Sequence, residues 1–152
     1  MRKKNALILG AGGSARAVVY ALSDAGWNVT IAARRIEQAQ ELALQFENTH
    51  ATEYDIQTFQ FSNFQLLVNT TPLGMTPSTG QSPWSEKLPF PNAAIYDLVY
   101  NPCETKLVQD ARLQGLSATT GLGMLIEQAA LAFEIWTGYN PPRNILFDSV
   151  VE

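Results

Sequence analysis

Cysteine and histidine are almost missing from this chain of 152 residues. The single cysteine, Cys103, excludes an internal disulfide and any multi-cysteine metal centre. The single histidine, His50, makes a histidine-built metal site or a Ser-His-Asp triad hard to assemble, so no metal site is expected. Positive charge is also scarce. Lys and Arg number 10 against 14 Asp and Glu, for a net charge of −4. That balance argues against a nucleic-acid partner, whose phosphates demand a basic surface. Long apolar runs are lacking too. No stretch reaches the roughly 20 residues of a membrane span, so no membrane partner is expected. The start, Met1-Arg2-Lys3-Lys4 before Ala6-Leu7-Ile8-Leu9, imitates a secretory signal, but the run breaks at Gly10, Gly12 and Gly13. The cytoplasm is therefore the expected compartment.

What is present is an ordinary globular composition, 46% hydrophobic and 16% charged, at a length typical of one domain. Ala6 to Leu9 is a continuous apolar run, as in a strand buried on both faces. Ser14 to Asp24 carries Ala17, Val18, Ala21 and Leu22 at helical spacing and stops at Gly26. Further strands are expected at Asn28–Ala33, Ala51–Asp55, Leu66–Asn69, Ala94–Leu98 and Leu116–Thr119. Further helices are expected at Ile36–Phe46, Thr105–Gln114 and Met124–Thr137. This alternation implies right-handed crossovers and an α/β fold, a doubly wound parallel sheet of about six strands with helices on both faces. Residues 72–91 hold five prolines and two glycines, and this stretch reads equally well as a functional loop or a rigid excursion.

Gly10-Ala11-Gly12-Gly13-Ser14-Ala15 fits G-x-G-x-x-G/A, between an expected strand and an expected helix. The first glycine permits the tight turn and the second lets backbone approach a pyrophosphate. Ala15 permits close helix–strand packing, and the helix N-terminus attracts the phosphates. The fold is thus expected to be of the Rossmann type. The bland alternative is a plain glycine-rich turn, which the strand–turn–helix context disfavours. Strand 2 ends in Ala32-Ala33-Arg34-Arg35, with no acid between Asp24 and Glu37. An NAD site usually has an acid here for the ribose 2′-hydroxyl, whereas guanidinium pairs suit a 2′-phosphate. NADP is therefore the expected cofactor. Polar residues also gather after three other strands, at Asn69–Thr71, Asp97–Asn101 and Thr119–Gly123. In open α/β sheets ligands sit beyond those carboxyl ends.

Four blocks carry a resemblance. They are Gly10–Ser14, Asn69-Thr70-Thr71-Pro72-Leu73-Gly74-Met75, Asp97–Pro102 with Thr105, and Gly121–Leu125 with Gln128-Ala129. In this order they resemble the C-terminal, NADP-binding domain of the shikimate/quinate dehydrogenase family. The resemblance runs from about Lys4 to Pro142. It implies a pyrophosphate held by Gly10, Ala11, Gly12, Gly13, Ser14 and Ala15, and an adenosine phosphate near Ala33, Arg34, Arg35 and Gln38. It places Asn69, Thr70, Leu98, Gly121 and Met124 on the cofactor, and Tyr100 and Gln128 on shikimate or 3-dehydroshikimate. The family's catalytic Lys and Asp belong to a preceding substrate domain, and no residue here matches their motif. The resemblance thus implies a hydride-transfer domain with no catalytic residue of its own, inactive alone. The other readings are a standalone nucleotide sensor, a partner subunit, or a quinate/shikimate enzyme using NAD.

Residues 1–140 would form the dinucleotide domain. Residues 141–152 would be a tail whose apolar stripe packs on a substrate domain, folds back, frays or pairs two chains in a weak homodimer. Trp27, Trp84 and Trp136 read as packing residues, Cys103 as an inert loop thiol, His50 as a residue at the end of the second helix, and Asp97 as a strand-end anchor.

Overall fold

The computed structural model describes residues 4–54 and 63–151. Eleven elements are described among these residues, in chain order. They are β1 (Asn5–Leu9), α1 (Gly13–Asp24), β2 (Asn28–Ala33), α2 (Ile36–Ala43), β3 (Thr49–Glu53) and β4 (Leu66–Asn69), then β5 (Ala94–Asp97), α3 (Lys106–Leu113), β6 (Ala118–Thr119), α4 (Leu122–Thr137) and α5 (Arg143–Val151). The strands form one sheet in the order β3-β2-β1-β4-β5-β6, and each pairing is parallel. This is the doubly wound architecture expected from the alternation. The winding reverses between β1 and β4, where crossovers on one side run outward to β3 and those on the other run to β6.

The alternation along β1 shows why this strand is central. Ala6 and Ile8 join a core with Val19 of α1, Val29 and Ile31 of β2, and Ala39 and Leu42 of α2. Leu7 and Leu9 join the opposite core with Leu67, Ile95, Leu107 and Ala111. Period-two side chains therefore need cover on both faces, and helices supply it. At about 25 cal/mol per Å² of apolar surface, each buried leucine here stabilises the fold by roughly 1.5–3 kcal/mol.

Several boundaries moved. The second helix ends at Ala43, short of Phe46, and β3 starts at Thr49. His50 therefore lies in an edge strand, not at a helix end. Asn48, with φ +52, makes the bend that lets β3 start early. The expected end of that strand, Asp55, lies outside the described residues, as does Glu152 of the tail. Trp136 is 81% exposed and is not a packing residue. Trp27 covers the first core, with the Lys4 ammonium 5.3 Å from its ring centroid. Trp84, 3% exposed, is buried in the second core, stacked on Phe90 and tilted against Tyr54. The proline-rich stretch is thereby pinned to the core. The tail is a helix that packs on α4, where Arg143 Nη2 lies 3.3 Å from Glu127 Oε2.

One buried polar network fixes the carboxyl ends of β4 and β5. Asp97 is fully buried. Its Oδ1 accepts from Asn69 Nδ2 at 2.8 Å and from the Val99 amide at 3.0 Å. Its Oδ2 accepts from the Thr105 hydroxyl at 2.7 Å. Thr105 in turn caps α3 by accepting from the Val108 amide. Burial raises the Asp97 pKa above the ordinary carboxylate value, while the three donors oppose that shift.

Asp97→Ala is expected to orphan three buried donors and cost about 3 kcal/mol or more in urea unfolding. Asp97→Asn keeps one acceptor oxygen and is expected to cost much less. The pH dependence follows from the sign of the shift. With its pKa raised in the fold, Asp97 holds a proton that the unfolded chain has lost, just above the ordinary carboxylate range. The protein should lose stability as pH rises through that window, and Asp97→Asn should remove that part of the slope.

Candidate functional site

A cleft of about 420 Å³ opens where the winding reverses, between the ends of β1 and β4. Leu9 to Gly12 form its floor. Ala32 to Arg35 with Gln38 make one wall, and Thr70 to Leu73 the other. Tyr54, Ser82, Pro83 and Ser85 complete the lining. The floor depends on glycine. Gly10 sits at φ +103 and its amide donates to the Ala32 carbonyl at 2.9 Å. A Cβ there would lie 2.8 Å from Thr70 Oγ1, which is held in place by donating to the Leu9 carbonyl at 2.7 Å. Gly12 differs, because a Cβ there meets nothing within 4 Å. It is the N-cap of α1, and no side chain caps the helix. The first-turn amides therefore lack intrahelical partners, as at any helix start, and are available to a ligand.

Arg34 and Arg35 are exposed, and Arg35 is the N-cap of α2. Neither forms an ion pair or side-chain hydrogen bond among the described residues. Two cations at the positive end of a helix are disfavoured unless an anion joins them. No Asp or Glu lines the cleft among the described residues. The chemistry of this end is therefore that of an anion site.

The remaining expected site residues fall in three groups. Gly13 and Ser14 are exposed on the first turn of α1, beside the cleft. Ala15 and Asn69 are buried and do not line it. Ala15 packs α1 on the sheet, and Asn69 is committed to Asp97 and to Thr71, whose hydroxyl donates to it at 2.7 Å. Leu98, Tyr100, Gly121, Met124 and Gln128 lie beyond β5 and along the start of α4, outside the 420 Å³ cleft. There the Gly121 amide donates to the Val99 carbonyl at 3.0 Å. A Cβ on Gly121 would lie 2.1 Å from the Leu98 carbonyl oxygen. Tyr100 and Gln128 are exposed. Sequence reasoning missed Tyr54, Ser82, Pro83 and Ser85. A lone tryptophan in a polar, proline-rich stretch was the available signal, since a buried Trp84 must bring its neighbours along.

A doubly wound parallel sheet with a glycine turn at its point of reversal defines a Rossmann-type domain. The chain belongs to the shikimate dehydrogenase family. The profile of Shikimate / quinate 5-dehydrogenase matches residues 1–71, and that of the Shikimate 5′-dehydrogenase C-terminal domain matches residues 121–145. Together they cover more than half of the chain. The shikimate dehydrogenase (NADP(+)) of Methanococcoides burtonii is 41% identical over 152 residues, which is 100% of this chain and 56% of that protein. The crystal structure of the Thermus thermophilus shikimate 5-dehydrogenase with NADP(H) and shikimate is 39% identical. The match has a TM-score of 0.83 and covers 96% of this chain and 54% of that one. Quinate dehydrogenase from Corynebacterium glutamicum in complex with NAD is 28% identical, with a TM-score of 0.84 and coverage of 99% and 55%. The chain thus spans about half the length of the relatives it matches. Among the described residues, no helix is long and apolar enough to cross a membrane.

Two glycines of one segment test whether backbone proximity holds the β5–α4 junction. Gly121→Ala should shift the Leu98 carbonyl and cost about 2 kcal/mol or more, as for other overpacked sites. Gly123→Ala meets nothing within 4 Å and lies in α4, so it should stabilise by roughly 0.5–1 kcal/mol. Thermal melts of the two variants measure both.

Proposed function

We propose that this chain is the NADP(H)-binding half of a shikimate 5-dehydrogenase. The observation that carries this reading is the cleft that joins the glycine turn to two arginines and, among the described residues, no carboxylate. The residues fit the cofactor. Gly12 leaves room for a pyrophosphate against the open end of α1, and Arg34 and Arg35 offer donors to a 2′-phosphate. A free ribose hydroxyl would instead call for an acceptor there. When bound, the cofactor supplies the hydride that interconverts 3-dehydroshikimate and shikimate. The chain's own residues bind and orient it. Leu98, Gly121 and Met124 would flank the nicotinamide, and Tyr100 and Gln128 would face the substrate. Reduction of a ketone also needs a proton at the carbonyl oxygen. No residue of this chain matches the family's Lys/Asp pair, so we infer that turnover requires a further substrate domain.

We further infer that the outer face of α4 and α5 is an interface. Leu131, Ile135 and Trp136 of α4 and Ile145 of α5 are each more than half exposed. Such a face would meet a substrate domain in a longer enzyme, and a second copy in this chain alone. Soluble monomers rarely leave an apolar patch of this kind open.

Calorimetric titration tests the cofactor assignment. NADP(H) should bind roughly tenfold to a hundredfold more tightly than NAD(H), the worth of one hydrogen bond to a charged group. Gly12→Val should abolish both while the melting temperature holds. Equal affinity for the two cofactors would favour the NAD-using reading, and unchanged binding by Gly12→Val would remove the glycine turn from the site. For the interface, sedimentation analysis should show the chain in a concentration-dependent dimer and a chain ending at Asn140 as a monomer. Two monomers at high concentration would refute self-association.

A further inference from the structure

The proline-rich excursion leaves β4 at Asn69 and does not stay on its own side of the sheet. Trp84 lies with its ring centroid 6.5 Å from that of Tyr54, which directly follows β3. With the order β3-β2-β1-β4, the segment crosses the ends of β1 and β2, three strand spacings or roughly 14 Å. It is fastened on both sides of its crossing. Trp84 is stacked on Phe90 at 5.5 Å and sunk in the second core. Glu86 then meets Lys106 of α3 at 3.1 Å. Next to these anchors in the chain, Ser82, Pro83 and Ser85 reach the cleft that Arg34 and Arg35 also line.

The hydrogen-bond bookkeeping of the two serines points the same way. Ser82 Oγ accepts from the Trp84 amide at 3.2 Å, and Ser85 Oγ accepts from the Lys87 amide at 3.3 Å. A hydroxyl has one proton to give. Neither serine gives its proton to an acceptor among the described residues. Both therefore present a donor, as guanidinium groups do, at a cleft where no carboxylate stands among the described residues. Donors converging from two walls match a ligand rich in acceptor oxygens.

We propose that the Ser82–Ser85 segment is a third wall of the nucleotide site, with the Ser82 and Ser85 hydroxyls donating to a 2′-phosphorylated adenosine and Trp84 acting as the positioning residue. This rests on the reading of the cleft as an NADP(H) site and assigns the residues that select within it. The wall would also exclude water from the phosphate–arginine contacts, which strengthens them.

The test uses the full chain and three probes, adenosine 2′,5′-bisphosphate, AMP and nicotinamide mononucleotide, each titrated by calorimetry. The double variant Ser82→Ala/Ser85→Ala should bind the bisphosphate about tenfold or more weakly, the usual effect of losing a hydrogen bond to a charged group. Its affinity for AMP should change by less than about threefold, and nicotinamide mononucleotide should be unaffected, since only the 2′-phosphate contact is lost. Trp84→Leu should show the same selective loss, and Trp84→Phe, which keeps a ring on Phe90, should restore it. Should Trp84→Leu not fold, the serine pair decides. Bisphosphate binding by the serine variant equal to that of the unaltered chain, or a parallel drop for all probes, overturns the proposal and leaves the cofactor reading standing. An unaltered chain with no affinity for the bisphosphate overturns both.

Discussion

A buried carboxylate without partners is among the least tolerable groups in a protein interior, and this fold contains one that it must satisfy. Asp97 ends β5 and draws donors from Asn69 at the end of β4, from its own following loop and from Thr105 at the start of α3. Three connections are thereby given one geometry. Asn69 is oriented so that its carbonyl oxygen accepts from Thr71, which shapes the turn forming one wall of the cleft. The Val99 loop is held where its carbonyl receives the Gly121 amide, which fixes the start of α4. The residues expected to touch cofactor and those that never do are linked through this one acid.

The site is consequently divided along the sheet. On the β1–β2–β3 side, a ligand would meet backbone amides, guanidinium groups and serine hydroxyls, all of them donors. On the β5–β6 side it would meet the close backbone contact of Leu98 with Gly121 and the start of α4. The division follows from the topology. A sheet wound outward in both directions from β1 and β4 opens its connections to either side of one crevice, so a two-headed ligand is served by two unrelated sets of loops. The positive, carboxylate-free character of the first side among the described residues is an electrostatic statement about charge, and the tight character of the second is a steric one about shape.

Much of this was legible in the chain. The strand–glycine–helix rhythm gave the fold class, because period-two burial and helical spacing are local properties. The arginines after β2 gave the charge of the site, since the absence of an acid between Asp24 and Glu37 is visible without coordinates. Helix ends were less legible. The second helix yields to the bend at Asn48, whose left-handed backbone no apolar pattern announces. Trp136 reads as a core residue by type, yet nothing among the described residues covers the outer side of α4.

Local pattern and composition by themselves thus determined the doubly wound sheet, the glycine turn and the positive charge that follows β2. Only the tertiary structure decided which distant segments share the cleft. Tyr54, Ser82, Pro83 and Ser85 share the cleft with the arginines because the segment after β4 runs back toward the end of β3, where burial of Trp84 against Tyr54 holds it. It also decided that the Asn69 amide is spent on Asp97. Both outcomes depend on contacts across tens of residues, where satisfaction of buried polar groups and close packing prevail over any local preference.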